Sequence, residues 1–229
     1  MKKEKREDKK RNGVVFFCCF LFLAGLPVYA QEDVYNYSLN AKTMAAFKAV
    51  SNLLAEHPVT KGNFVQEKIL SRLGRSLKSE GNFIITAKQG MVWETLKPFP
   101  STLVLGKDYL IQSRPGGQKT VLSAEGNETF LRLAEVLSAV FSGNAQGLLD
   151  NFEVYFYAAG GTSSVWELGL SPLDKAIGSF AEKITMSGDD VIRSIVISEQ
   201  SGDITKYSMS NHSHPVELNA NEKALFTLP

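Results

Sequence analysis

Cysteine is the scarcest reactive residue in this chain: 229 residues hold two, Cys18 and Cys19. Both lie in the apolar N-terminal segment. From Gln31 onward no thiol remains, which excludes disulfides, thiolate nucleophiles and cysteine-bound metal from that part. Histidine is nearly as scarce, with His57, His212 and His214 the full set. His212 and His214 are two apart and would point the same way on a strand. No cysteine or carboxylate cluster stands beside them, so a structural role is expected and no metal site. No glycine-rich phosphate loop opens a helix, and no G-x-S-x-G elbow occurs. Asp189-Asp190 follows Gly188 between two strand patterns, where a hairpin turn leaves acids in solvent. A glycosidase would need two carboxyls facing across a pocket, an arrangement that sequence does not display, and it is not the expected reading. Basic residues are scattered rather than banded and the net charge is +1, so nucleic acid is not an expected partner. Repeats, low-complexity tracts and a linker between domains are also missing. A protein that binds without catalysing, and without a cofactor, is the expectation.

Long apolar runs are missing too. The uncharged stretch Val14–Leu26 is thirteen residues, short of the ~20 that span a bilayer. Seven Lys/Arg against three Asp/Glu precede it in residues 2–11, and Val28-Tyr29-Ala30 supplies a small-residue cleavage pattern before Gln31. Residues 1–30 therefore read as a cleaved secretory signal peptide, with residues 31–229 a single exported domain. Phe17 before Cys18 is the wrong context for a lipoprotein signal. The leader carries +4, so the whole chain's +1 becomes −3 once it is removed.

What is present is a pattern of strands and a few helices. Asn40 heads a helix whose Met44, Phe47, Val50 and Leu54 recur at helical spacing, and His57-Pro58 stops it. Turn signals then fall at Gly74, Ser79–Gly81, Gln89-Gly90, Pro98, Gly106–Asp108 and Pro115–Gly117, spaced for an antiparallel meander up to about Leu122. A second helix is predicted over Asn127–Ser142, with Phe130, Leu133, Leu137, Val140 and Phe141 on one face and Gly143 as its stop. A short third helix is predicted near Ala145–Leu149. Strand alternation returns in Phe152, Val154 and Phe156, and in Trp166, Leu168 and Leu170. It continues through Phe180, Ile184 and Met186 with Glu182, then through Val191–Ser198 and Ile204–Asn211. Helix, sheet, helix, sheet is most economically an α+β fold: one strongly curved antiparallel sheet, an incomplete barrel, with about three helices packed in its concave face.

The order of certain residues resembles the LolA-like outer-membrane lipoprotein carrier family, as a divergent member. A helix leads into Phe64-Val65-Gln66, then a glycine-opened strand at Gly81-Asn82-Phe83, a strand with Met91-Val92-Trp93, and a turn at Pro98. Ala224–Pro229 is similar to that family's last strand. The resemblance implies a periplasmic carrier that takes the acyl chains of lipoproteins, or another lipid, from an inner-membrane exporter to an outer-membrane acceptor, working as a monomer without covalent chemistry. It implies that Phe83, Ile85, Met91, Trp93, Leu103 and Leu105 line the sheet side of an acyl-chain cleft, and that Phe47, Phe130, Leu133 and Leu137 line a helical lid. In the family an Arg followed by Pro supports the closed lid; the matching position here is Ala87, with Lys88 beside it. The stretch Lys88–Thr95 is closer to divergent members associated with lipids other than lipoproteins. Two other readings of the chain are a lipid-sensing periplasmic regulatory module of the same fold, and a hydrolase using His212 or His214.

The energetics suit a carrier. Burying a methylene contributes about 0.8 kcal/mol, so a sixteen-carbon chain could gain on the order of 10 kcal/mol. That rivals the roughly 5–15 kcal/mol that holds a domain folded, so cargo is released only if opening the cleft offsets part of the gain. If Lys88 replaces the family's arginine in that step, Lys88→Leu leaves the thermal midpoint unchanged and slows cargo release. A transfer rate equal to wild type removes Lys88 from the mechanism.

Overall fold

The computed structural model describes residues 33–117, 119–123, 139, 143–159 and 165–228. Eleven strands among these form one antiparallel sheet: β1 (Val59–Leu70), β2 (Arg75–Thr86), β3 (Gly90–Lys97), β4 (Ser101–Leu105), β5 (Tyr109–Ser113), β6 (Thr120–Ser123), β7 (Phe152–Ala158), β8 (Trp166–Pro172), β9 (Lys183–Gly188), β10 (Ile192–Ser198) and β11 (Ile204–Ser213). The spatial order is β6-β5-β4-β3-β2-β1-β11-β10-β9-β8-β7. Two meanders thus run outward from a central β1–β11 pair, and the sheet does not close into a barrel. The α+β incomplete barrel read from the sequence is the fold observed.

One face carries most of the apolar side chains. Phe64, Phe83, Phe152, Val154, Phe156, Trp166, Leu168, Leu170, Ile184, Met186, Ile195 and Met209 form a single buried cluster. Helix α1 (Met44–Ala55) lays Phe47 into it, with Met44, Val50 and Leu54 alongside. Helix α2 (Ala145–Asn151), capped by the Asn144 side chain on the Gly147 N–H, adds Leu148. These are the positions that helical and strand periodicity predict. Most of the predicted 127–142 helix, with Phe130, Leu133, Leu137, Val140 and Phe141, lies outside the described residues; Ala139 is helical and buried in the same cluster.

Three expectations are corrected. Ser79–Gly81 is not a turn: β2 runs through it, with a register shift against β3 between Glu80 and Gly81. A Cβ at Gly81 would collide with the Glu94 carbonyl and sit 2.8 Å from the tip of the Phe64 ring. The glycine therefore serves close packing within a strand rather than a reversal of the chain. Phe180 is not on a strand. It follows a short helix, α3 (Lys175–Gly178), that Asp174 caps, and it is exposed, while Ala181 is buried. The last strand expected at Ala224–Pro229 is not found either in its described part, residues 224–228. Residues Ala220–Leu225 form helix α4, opened by a reciprocal capping box between Asn219 and Glu222. That S/T/N-x-x-E signal stands in the sequence.

Helix α4 covers the opposite face of the sheet. There Val59, Val92, Val104 and Ile111 are buried under Leu218 and Phe226. Lys61 Nζ donates to both Glu222 carboxylate oxygens, at 2.5 and 2.6 Å, and the Tyr109 hydroxyl donates to the Phe226 carbonyl. At the β7 edge the N-terminal segment pairs in part: Phe156 N–H donates to the Tyr37 carbonyl at 2.8 Å and Leu39 N–H to the Val154 carbonyl at 3.0 Å. An unpaired edge is thereby shielded. The β2–β3 contact gives a direct test. Gly81→Ala should lower the urea midpoint by a margin equivalent to about 2–4 kcal/mol with an unchanged denaturant slope; a midpoint within error of wild type would show that the strand tolerates the Cβ.

Candidate functional site

Residues directly opposite in a sheet point to one face. The register places Phe83 opposite Trp93 and Trp93 opposite Leu103; it also places Ile85 opposite Met91 and Met91 opposite Leu105. All six sheet residues predicted to line a cleft therefore share one face, the face on which Phe64 lies. Phe83, Met91 and Leu105 are buried, whereas Ile85, Trp93 and Leu103 are half-buried. Phe47 sits farther along the same cluster, edge-on to Phe156 with ring centroids 5.8 Å apart. Phe130, Leu133 and Leu137 lie outside the described residues. Lys88 is exposed in the β2–β3 turn.

Two residues missed in the sequence extend this face. Leu105 faces Leu110 across β4–β5, and Leu110 faces Leu122 across β5–β6. Ile85, Met91, Leu105, Leu110 and Leu122 thus form an unbroken apolar row over five strands, spanning four inter-strand spacings or about 19 Å. Exposure rises along it: Met91 and Leu105 are buried, Leu110 is half-buried and Leu122 is 47% exposed. The neighbouring row Phe83–Trp93–Leu103 ends in polar Gln112 and Thr120. Alternation within β5 and β6 marks Leu110 and Leu122 as a pair of faces, but only the register joins them to the others.

At the β1 side stands an aromatic group. The Phe64 ring stacks on Trp93 at 4.1 Å and 24°, and Tyr207 meets Trp93 edge-on at 5.3 Å. Burial, with Glu199 nearby, pushes the Tyr207 phenol above its ordinary range. Phe83 in turn touches the His212 ring edge-on at 5.6 Å.

All three histidines converge here, which their separation in sequence concealed. A bulge at the end of β11 brings them in. Three steps on β11, from Ser210 to Ser213, oppose two on β1, from Asn63 to Lys61. Asn211 takes the extra residue in left-handed backbone, φ 53°, which asparagine tolerates better than most. Its side chain donates to Asn63 Oδ1 at 2.8 Å, Asn63 to Asn82 Oδ1 at 2.7 Å, and Asn82 to Glu94 Oε2 at 3.1 Å. This ladder pins the bulge, and His212 and His214 then line one pocket with Met209. His57, just beyond α1, stacks on His214 at 3.7 Å and 18°. Thr60 Oγ1 lies 3.2 Å from His214 Nδ1. Parallel stacked rings do not converge on one ion, and no metal-holding group of His, Cys, Asp or Glu occurs among the described residues.

His212 and His214 are held below their usual titration range. Burial is the main cause for His212, with Arg193 adding to it; burial and then His57 act on His214. Arg193 is itself paired with Asp189 at 3.0 Å and approaches Asp190 at 3.6 Å. That pairing brings Asp189 down to about 2 against the opposing cost of its burial.

Comparison with known proteins adds the following. The family model described as "Outer membrane lipoprotein carrier protein LolA-like" matches residues 40–224. No match was found among curated protein sequences. A LolA superfamily protein from Nitrosomonas europaea is 9% identical over 80% of this chain and 97% of its own, with a TM-score of 0.46. An outer membrane lipoprotein-sorting protein domain from Vibrio parahaemolyticus is 8% identical over 85% and 99%, with a TM-score of 0.41. LprF from Mycobacterium bovis is 11% identical over 80% and 98%, with a TM-score of 0.40.

The lowered histidine values set a pH dependence. Above about 6.5 the rings are neutral in both folded and unfolded chain; as the pH falls below that value the unfolded chain takes up protons that the folded one refuses. Stability therefore declines on acidification from pH 7 to 5. Thermal midpoints across this window should fall, and fall less in His212→Leu; an identical slope in that variant would place the effect on other groups.

Proposed function

We propose that this chain, which belongs to the LolA-like outer membrane lipoprotein carrier family, binds the acyl chains of lipoproteins or another lipid on its apolar sheet face and moves them from the inner to the outer membrane. The observation that carries this reading is the row Ile85–Met91–Leu105–Leu110–Leu122. Here exposure grades from buried at the centre to nearly half exposed at Leu122, so an acyl chain lying along it would displace water from its outer part. Phe83, Trp93 and Leu103 border the row, and Phe47 belongs to the helix that closes the cluster. Phe130, Leu133 and Leu137 complete the proposed lid.

On this reading the protein makes and breaks no covalent bond. Affinity comes from apolar burial, which is non-directional and indifferent to the rest of the cargo. Direction comes from an inner-membrane donor and an outer-membrane acceptor between which a monomeric carrier shuttles in the periplasm, after loss of residues 1–30. Lys88, exposed in the β2–β3 turn, is the residue assigned on this reading to the lid and to cargo release.

Protein purified from cells should yield lipid on extraction with organic solvent, identified by mass spectrometry, and should bind a fluorescent fatty acid. Leu110→Asp, at a half-buried position and with folding checked by its circular dichroism spectrum, should weaken that binding at least tenfold through the cost of placing a carboxylate against the chain. Empty wild-type protein that binds no fatty acid would overturn the reading; equal binding by Leu110→Asp would move the chain off this row.

A further inference from the structure

The apolar row does not end in more apolar surface at its β1 end. Ile85 faces Thr60 across β2–β1, and Thr60 contacts His214. The pocket there has apolar walls from Phe83 and Ile85 and polar walls from His57, His212, His214 and Asp190. Its free volume is about 30 Å³, more than the 10–15 Å³ that one water needs and far too little for an acyl chain. The pocket suits a small polar group at the head of something longer.

His212 gives the pocket its demand for a partner. Both ring nitrogens are buried and neither meets hydrogen-bond geometry with a partner among the described residues, although the Ile192 backbone lies near enough to act on the ring. Buried polar atoms in native proteins are almost always paired, so an orphan calls for a water, ion or ligand. A neutral imidazole offers one donor and one acceptor, and burial disfavours protonation of this one. The charges around it are Asp189, Asp190 and a single Arg193, already engaged with both acids. Two acids against one Arg leave these side chains net negative, which disfavours a carboxylate or phosphate. A hydroxyl both donates and accepts, and Asp190 can accept from a second one.

We infer that the three-histidine pocket is a headgroup site, which receives the hydroxyl-bearing, uncharged end of an amphiphile whose chain lies along Ile85, Met91, Leu105 and Leu110. This rests on the lipid-binding reading above and adds selectivity to it. The β-bulge at Asn211 is the device that makes it: without the extra residue, His212 and His214 would fall on the opposite face from Met209. The carrier thereby has an apolar track that accepts many chains and one polar end that distinguishes heads.

Two probes with the same chain separate head from tail: 1-monolauroylglycerol, which has two free hydroxyls, and methyl laurate, which has none. Displacement of a fluorescent fatty acid from the full exported chain measures both. Wild type should bind the glycerol ester about three- to tenfold more tightly, the net worth of one or two hydrogen bonds. His212→Leu should bring the two affinities together while keeping methyl laurate binding, which also reports that the variant is folded. Asp190→Asn, at an exposed side chain, should narrow the preference without touching the core. Equal affinities in wild type, or a preference that survives both substitutions, overturn the headgroup site alone. Failure of wild type to bind either probe overturns the carrier reading as well.

Discussion

The ring of Phe64 lies on the space where Gly81 has no side chain, and Trp93 stacks on that ring at 4.1 Å. Much of the sheet depends on this contact. Phe64 and Gly81 are opposite each other on β1 and β2, and Trp93 follows on β3, so one stack fixes the register of three strands at the middle of the sheet. A one-residue slip would turn every inner side chain outward. The stack itself is worth about 0.5–1.5 kcal/mol beyond its buried area, but its consequence is larger, because Phe83, Ile85, Met91, Leu103 and Leu105 inherit their face from it. Tyr207 continues the group onto β11, where the two meanders meet. The residues that carry the family resemblance are thus one physical object: a ring, the gap it fills, and the indole that holds it there.

An open sheet of this size must hide more than one face. On the inner side, the half built from β7 to β11 is filled by Phe47, Leu148 and the sheet's own aromatics. The half built from β2 to β6 is filled less completely toward its β6 edge. On the reverse side the C-terminal segment seals Val59, Val92, Val104 and Ile111, held by the Lys61–Glu222 pair and by the Tyr109 hydroxyl. With most of its back covered, the β2–β6 half keeps apolar exposure near its β6 edge on both faces, at Leu122 inside and Val121 behind. Apolar surface graded in this way is what a reversible lipid carrier requires, since a fully dry, fully enclosed chain would gain about 0.8 kcal/mol per methylene and leave too slowly.

The polar end of the row introduces a different kind of constraint. Apolar burial does not discriminate between cargoes with similar chains, whereas an orphaned imidazole beside a carboxylate does. The amide ladder Asn211–Asn63–Asn82–Glu94 crosses four strands on the reverse face and supports the bulge that turns the histidines inward. Its members are unremarkable polar residues in sequence, and their role is positional.

Periodicity alone determined where most strands and α1 lie and which residues of each are buried, and composition alone that no thiol follows Gln31. Those properties depend on neighbours a few positions apart, which the chain displays directly. The resemblance built on Phe64, Gly81, Trp93 and Pro98 led to the correct fold because their order reflects the stack. Local signals misled where a residue had a distant partner: Gly81 has the composition of a turn, yet it makes room for Phe64 and the Glu94 carbonyl, and Ala224–Pro229 has the look of a strand although Asn219 and Glu222 cap a helix. Tertiary structure alone decided that six predicted lining residues share a face, that Leu110 and Leu122 join them, and that three histidines 155 and more residues apart at the extremes meet in one pocket. Each of these is a matter of register across strands, set by long-range hydrogen bonding and packing that no local pattern encodes.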